Sequence, residues 1–132
     1  MMIVIDAIGS YIPTGRIHAV ARKEEFDITD EFISKKLGIH SVSIKLESQE
    51  TSDLCVNAYE MLQGKEGKNI NEVDCIVVCT QNPDGNGIPH TSAIVHEKLN
   101  LSERCACFDI SLGCSGYVYS LSVISSFMEA NS

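Results

Sequence analysis

The chain has 132 residues, 44% of them hydrophobic and 21% charged, and a net charge of −8. This is the composition of one globular domain, residues 1–132, long enough to bury a core. The acidic balance and the lack of a Lys/Arg cluster argue against nucleic acid as a partner.

In chain order, Met2 to Ile8 is apolar apart from Asp6 and predicts a strand, followed by a turn over Gly9 to Gly15 around Pro13. Thr29 can N-cap a short helix, with Asp30 and Glu31 in the first turn and Gly38 as its stop. Thr51 opens a second helix, with Leu54, Ala58, Met61 and Leu62 at core-facing spacing, and Gly64 to Lys68 predicts a polar loop. Val73 to Thr80 predicts a buried strand, Gln81 to Pro89 a loop, Thr91 to Leu99 a helix and Arg104 to Ile110 a further strand. A last helix follows Cys114. Strands alternating with helices predict an α/β layered domain with a mostly parallel central sheet.

Ile110 to Met128 carries no charge over a membrane-like length. Six serines together with Gly113 and Gly116 favour a buried helix over a span, so no membrane partner is expected. The chain shows no secretory leader, which predicts a cytoplasmic location and reduced thiols for its six cysteines. Cys75, Cys79, Cys105 and Cys107 lie in apolar strand-like runs, where buried free cysteine is common. Cys75-x3-Cys79 and Cys105-x-Cys107 lack the paired spacing of zinc sites, so no metal is expected.

The chemistry concentrates in Ala106-Cys107-Phe108-Asp109-Ile110-Ser111-Leu112-Gly113-Cys114-Ser115-Gly116. A short apolar run ends in small residues, presents Cys114 and leads into a helix. Backbone N–H groups at a helix start lack intrahelical partners, and the dipole there favours negative charge. Both effects stabilise thiolate over thiol, and the thiolate is the nucleophile. On composition alone Cys114 reads equally as a small buried apolar residue. Asp109 reads as a structural group that holds the turn.

This stretch resembles the nucleophile segment of the beta-ketoacyl-acyl carrier protein synthase III family of the thiolase superfamily. Phe108, Asp109, Ile110, Cys114, Ser115, Gly116 and Tyr117 match its pattern in order. Ile8-Gly9-Ser10-Tyr11-Ile12-Pro13, Thr29-Asp30-Glu31-Phe32-Ile33 and Gly38-Ile39 are similar to the family's opening segments. The resemblance implies the N-terminal half of a thiolase-like fold with a buried nucleophile helix. It implies decarboxylative Claisen condensation through an acyl-Cys114 thioester, in a homodimer, as part of fatty acid biosynthesis. The implied partners are an acyl-coenzyme A or acyl-carrier-protein donor and malonyl-acyl carrier protein. Coenzyme A thioester is then a substrate, and no cofactor is expected.

By the same resemblance, Phe32 stands where the family stacks a Trp on the adenine of coenzyme A, and Lys36 where an Arg meets its phosphates. Phe32 equally reads as a helix core residue and Lys36 as a solvated charge. Ile88 stands where an apolar residue reaches the partner subunit's acyl pocket, and loop packing explains it as well. The family's catalytic His and Asn match nothing here: none of His18, His40, His90 and His96 carries the family's His motif, and His90 and His96 read as surface residues. Three rivals remain open: a related acyltransferase or secondary-metabolite synthase, a non-catalytic partner subunit, and a cysteine hydrolase. The last lacks the Gly that a nucleophile elbow needs at Leu112.

Overall fold

The structure, a computed structural model, describes residues 3–67 and 69–131. It divides into two units, Ile12–Gln49 and the combination of Met1–Tyr11 with Glu50–Ser132.

The smaller unit holds an antiparallel pair, β1 (Gly15–His18) and β2 (Ser41–Ile44), with Gly15 opposite Ile44 and His18 opposite Ser41. Between them run a 3-10 turn (Ala19–Arg22), α1 (Lys23–Phe26) and a π-helical segment (Phe32–Leu37). The cap read from the sequence is present: Thr29 Oγ1 accepts the Phe32 N–H at 3.1 Å. Gly38 ends the segment at φ 65°, a conformation costly for a side chain with a Cβ, and donates its N–H to the Ile33 carbonyl. Ile33 is 2% exposed and anchors this unit's interior.

The larger unit is built on the parallel pair β3 (Cys75–Cys79) and β4 (Ala106–Ile110). Their register sets Val77 against Phe108 and Val78 against Asp109. The β-branched run Ile76-Val77-Val78 suits a strand covered on both faces. Ile76 and Val78 face a hollow shared with Cys55 and Tyr59 of α2 (Thr51–Glu66) and Val95 of α3 (Thr91–Lys98). Cys75, Val77 and Cys79 face α4 (Gly116–Ala130), and on the same side the Phe108 and Phe127 rings sit 5.9 Å apart. The alternation of a strand thus makes a layer of α2 and α3, a two-stranded layer, and α4.

The structure corrects several expectations. Residues 3–8 form no strand, because a ladder needs a neighbour and none of the described residues pairs with them; Val4, Ile5 and Ile8 are 58% exposed or more. The parallel sheet is therefore a single pair among the described residues, and the antiparallel pair in the smaller unit was not expected. α2 opens with Glu50 as N-cap in a reciprocal capping box with Asp53, one residue ahead of Thr51. It then runs through Gly64 to Glu66, and Gly67 takes the left-handed stop. The rest of the expected loop, Lys68, lies outside the described residues. Met61 is 51% exposed and not a core residue. Cys79 and Cys107 are exposed, not buried.

The helix after Cys114, expected to be buried, is not buried within this chain. Gly116 is its one buried described residue, while Tyr117 and Val118 are more than 60% exposed. The apolar residues of α4 run all round the helix, so one strand layer covers only one side of it. No helix among the described residues is long and apolar enough to cross a membrane.

Candidate active site

Cys114 lies in the loop between β4 and α4 and is exposed. The Gly116 N–H donates to the Gly113 carbonyl at 2.8 Å, which folds the loop into one turn around it. Ser115, at the N-cap, makes no side-chain cap bond. The first turn of α4 carries no acidic side chain, so the positive end of its dipole meets the cysteine turn without a carboxylate there. Cys114 stands at one end of a groove of about 540 Å³. Cys75, Val77 and Cys79 form one wall of it, and Tyr117, Leu121 and Ile124 the other. Spacings of two on the strand and of three and four on the helix put these residues on facing sides.

The loop is pinned by its neighbours. A Cβ on Gly116 would run into the Cys79 sulfur, so strand and helix start meet where only glycine fits. A Cβ on Gly113 would lie 2.7 Å from Gln81 Oε1, which places the Gln81 amide directly beside the nucleophile turn.

Two other helix starts in this unit are filled by carboxylates. Asp109 Oδ2 accepts the Thr91 N–H and Oδ1 the Ser92 N–H, both at 2.8 Å, at the start of α3. Burial, the largest single influence on Asp109, pushes its pKa up. The Ser92 hydroxyl and N–H, the Thr91 N–H and the charge of His90 outweigh it, so the carboxyl titrates below its ordinary range. Asp109 is structural, as expected, but what it holds is a helix start 17 residues upstream.

Asp84 does the same for α2. It is 7% exposed; Oδ1 accepts the Ser52 N–H at 2.9 Å and Oδ2 the Ser52 hydroxyl at 2.5 Å. Its own N–H donates to Thr91 Oγ1 at 3.1 Å. Lys98 Nζ adds bonds to Ser52 Oγ at 2.7 Å and Asp53 Oδ1 at 2.6 Å. Ser52, Thr91 and Ser92 are each fully buried, so the tightest packing of the unit is a polar cluster around two helix starts. That cluster fixes the loop from Gln81 to Pro89, whose Ile88 is 87% exposed and precedes a cis proline.

Asp84, Gln81 and Cys79 were not picked out in the sequence. Pro83-Asp84-Gly85 reads as a turn, and nothing local says that the carboxylate closes on a helix 32 residues earlier.

Phe32 and Lys36 lie in the smaller unit, four residues apart on the π-helical segment. Phe32 is 41% exposed, so it is no core residue. Its neighbours Lys23 and Lys35 are ion-paired, with Asp30 at 2.7 Å and Glu31 at 2.9 Å, whereas Lys36 has no ion-pair partner among the described residues. The structure brings Cys114 together with Cys79 and Gln81, and places Ile88 on a neighbouring loop of the same unit.

Three of the other cysteines are less available, whereas Cys79 and Cys107 are exposed like Cys114. Burial pushes up the thiols of Cys55, Cys75 and Cys105, and the nearby charges of Asp84 and Asp109 add to the effect at Cys55.

No family model matches the chain. Curated relatives do. The beta-ketoacyl-[acyl-carrier-protein] synthase III of Helicobacter hepaticus is 38% identical over 96% of this chain and 38% of its own length. The enzyme of the same name from Neisseria meningitidis serogroup A is 33% identical over 96% of the chain and 39% of its own length. Among solved structures, synthase III from Thermus thermophilus superposes with a TM-score of 0.86 at 30% identity, covering 96% of this chain and 39% of that one. Xanthomonas campestris OleA, at 16% identity and a TM-score of 0.82, shares the thiolase-like fold. The chain spans about two fifths of the length of these relatives. On sequence and architecture together, the chain is similar along nearly its whole length to the first two fifths or so of beta-ketoacyl-[acyl-carrier-protein] synthase III enzymes.

Proposed function

We propose that this chain is the N-terminal, nucleophile-bearing part of a condensing enzyme that joins an acyl group to malonyl-acyl carrier protein in fatty acid biosynthesis. The observation that carries the reading is Cys114, exposed in a tight turn at the start of a 15-residue helix, in a chain 38% identical to a synthase III. The Cys114 thiolate attacks the carbonyl carbon of an acyl-coenzyme A or acyl-carrier-protein thioester. The negative charge that gathers on the carbonyl oxygen is met by the Cys114 N–H at the helix start. The carbon–sulfur bond to the donor breaks, the donor leaves as its thiolate, and the acyl group stays on Cys114. Malonyl-acyl carrier protein then loses carbon dioxide, and its carbanion takes the acyl group from Cys114.

Phe32 and Lys36 are proposed as contacts for coenzyme A. The exposed ring supports a stacking role, and an ammonium with no ion-pair partner among the described residues supports a phosphate contact. Ile88, almost fully exposed on a loop held by buried hydrogen bonds, is proposed to enter the acyl pocket of a partner subunit in a homodimer. The enzyme works in the cytoplasm and needs no cofactor beyond its thioester substrates.

The test is intact-mass spectrometry of the chain after incubation with a short acyl-coenzyme A. One acyl group should add to the wild type and none to Cys114→Ala. Condensation with malonyl-acyl carrier protein should be undetectable, because groups that act as a unit lose most of the rate when some are missing. Acylation that survives Cys114→Ala would overturn the assignment.

A further inference from the structure

Cys79 is the second exposed cysteine in the groove that Cys114 lines. It ends β3. Its thiol donates to the Leu112 carbonyl at 3.7 Å, and the space a Gly116 side chain would need is filled by its sulfur. Leu112 and Gly116 flank Cys114 by two residues on either side. The Cys79 sulfur therefore touches both ends of the loop that bears the nucleophile. The bond from Gly116 N–H to the Gly113 carbonyl folds that loop into a single turn. The Cys114 Cα is thus no more than two steps of about 3.8 Å from a residue in contact with that sulfur. A disulfide asks for Cα atoms about 4.4–6.8 Å apart, and the turn that carries Cys114 is exposed from Ser111 to Ser115.

We propose that Cys79 and Cys114 form a peroxide-responsive dithiol, with Cys79 as the thiol that resolves oxidised Cys114. The oxidant is hydrogen peroxide. The Cys114 thiolate attacks one peroxide oxygen, the oxygen–oxygen bond breaks, and Cys114 becomes a sulfenic acid as hydroxide departs. The Cys79 thiolate then attacks the Cys114 sulfur and expels its hydroxyl as a second hydroxide. The two thiol protons neutralise the two hydroxides, so two thiols and one peroxide give one disulfide and two waters. Other cysteines are poorer resolvers. Burial raises the Cys55, Cys75 and Cys105 thiols. Cys107 pairs in register with Ile76, which faces the α2–α3 side and not the groove. The disulfide would close the nucleophile reversibly and keep it from the irreversible sulfinic state.

The inference rests on Cys114 being reactive but not on acyl transfer. A chain that self-acylates without forming the link refutes the dithiol alone, and a chain that links without self-acylating refutes the condensing role alone. The experiment treats the full chain with hydrogen peroxide, blocks free thiols with iodoacetamide, and maps peptides without reduction. The expected product is a linked Cys79–Cys114 pair, at least about tenfold over any other cysteine pair and reversed by dithiothreitol. In Cys79→Ser, Cys114 should pass to sulfinic acid instead. Four results would overturn the proposal: equal rates of Cys114 sulfinic acid formation in wild type and Cys79→Ser, a wild-type link from Cys114 to another cysteine, no change at Cys114, or no linked pair. The wild-type map stands alone should Cys79→Ser fail to fold.

Discussion

The starts of α3 and α4 are both fed by the strand pair, and they are finished in opposite ways. At α3 a carboxylate from β4 takes the first two free N–H groups at 2.8 Å each. At α4 no side-chain oxygen caps the helix, and the turn carries a thiol where α3 receives an acid. What fixes α4 is contact, the Cys79 sulfur against Gly116. A helix start that is already neutralised is stable and chemically silent. One left open keeps its partial positive charge for a thiolate or an oxyanion. The chain thus spends its acids on the helices that frame the loops and withholds them from the helix that follows Cys114.

Removing an acid should show how much the filled starts are worth. Asp84→Ala leaves the Ser52 N–H and hydroxyl without their buried acceptor, and roughly 2–4 kcal/mol of stability should go with them. A urea melt that shifts by under a quarter of that would mean the cluster is not what holds α2.

The contact that fixes α4 can be broken next. Gly116→Ala should cost about 1–3 kcal/mol, because the new methyl meets the Cys79 sulfur and Leu112 Cβ at close range. Adding Cys79→Ala should recover part of that loss. A double-mutant cycle with no coupling would show that the sulfur is not the obstacle.

Asp109→Asn tests the filled start more gently, at about 1–2 kcal/mol near neutral pH. It also carries a pH signature. The folded carboxyl titrates below the ordinary value of 3.8, so its stabilisation is complete above that value. It is lost as pH falls from there through the folded pKa. The stability gap between wild type and Asp109→Asn should therefore be flat from neutral pH to about pH 5 and close below pH 4. A gap that widens on acidification would contradict the lowered pKa. The smallest effect belongs to Gly113→Ala, under about 1 kcal/mol, because the atoms in its way are the movable end of exposed Gln81. A larger loss would make that amide a fixed part of the turn.

The local grammar of the chain was readable in advance and its tertiary closures were not. Thr29, Gly38, the β3 and β4 runs, α3 and the Cys114 turn each follow from neighbours within a few residues. The first strand failed because an apolar run becomes a strand only beside another one. The sequence places a loop from Gly64, but a glycine's cost inside a helix is modest, so α2 runs on to the stop that Gly67 offers three residues later. The turn at Cys114 and the helix after it were legible because small residues before an apolar run are a local pattern. The roles of Asp84 and Gln81 depend on which side chains arrive from distant segments, and composition holds no trace of that.

The pairing of Val78 with Asp109 has one more consequence. Along β4, Phe108 faces α4 and Asp109 faces α3, so a slip of one residue between the strands would exchange them. The acid would then sit among apolar helix residues without a donor, and α3 would lose its anchor. Asp109 therefore acts as a proofreader of strand alignment: a one-residue slip takes its carboxylate away from the Thr91 and Ser92 N–H groups that give its charge a home.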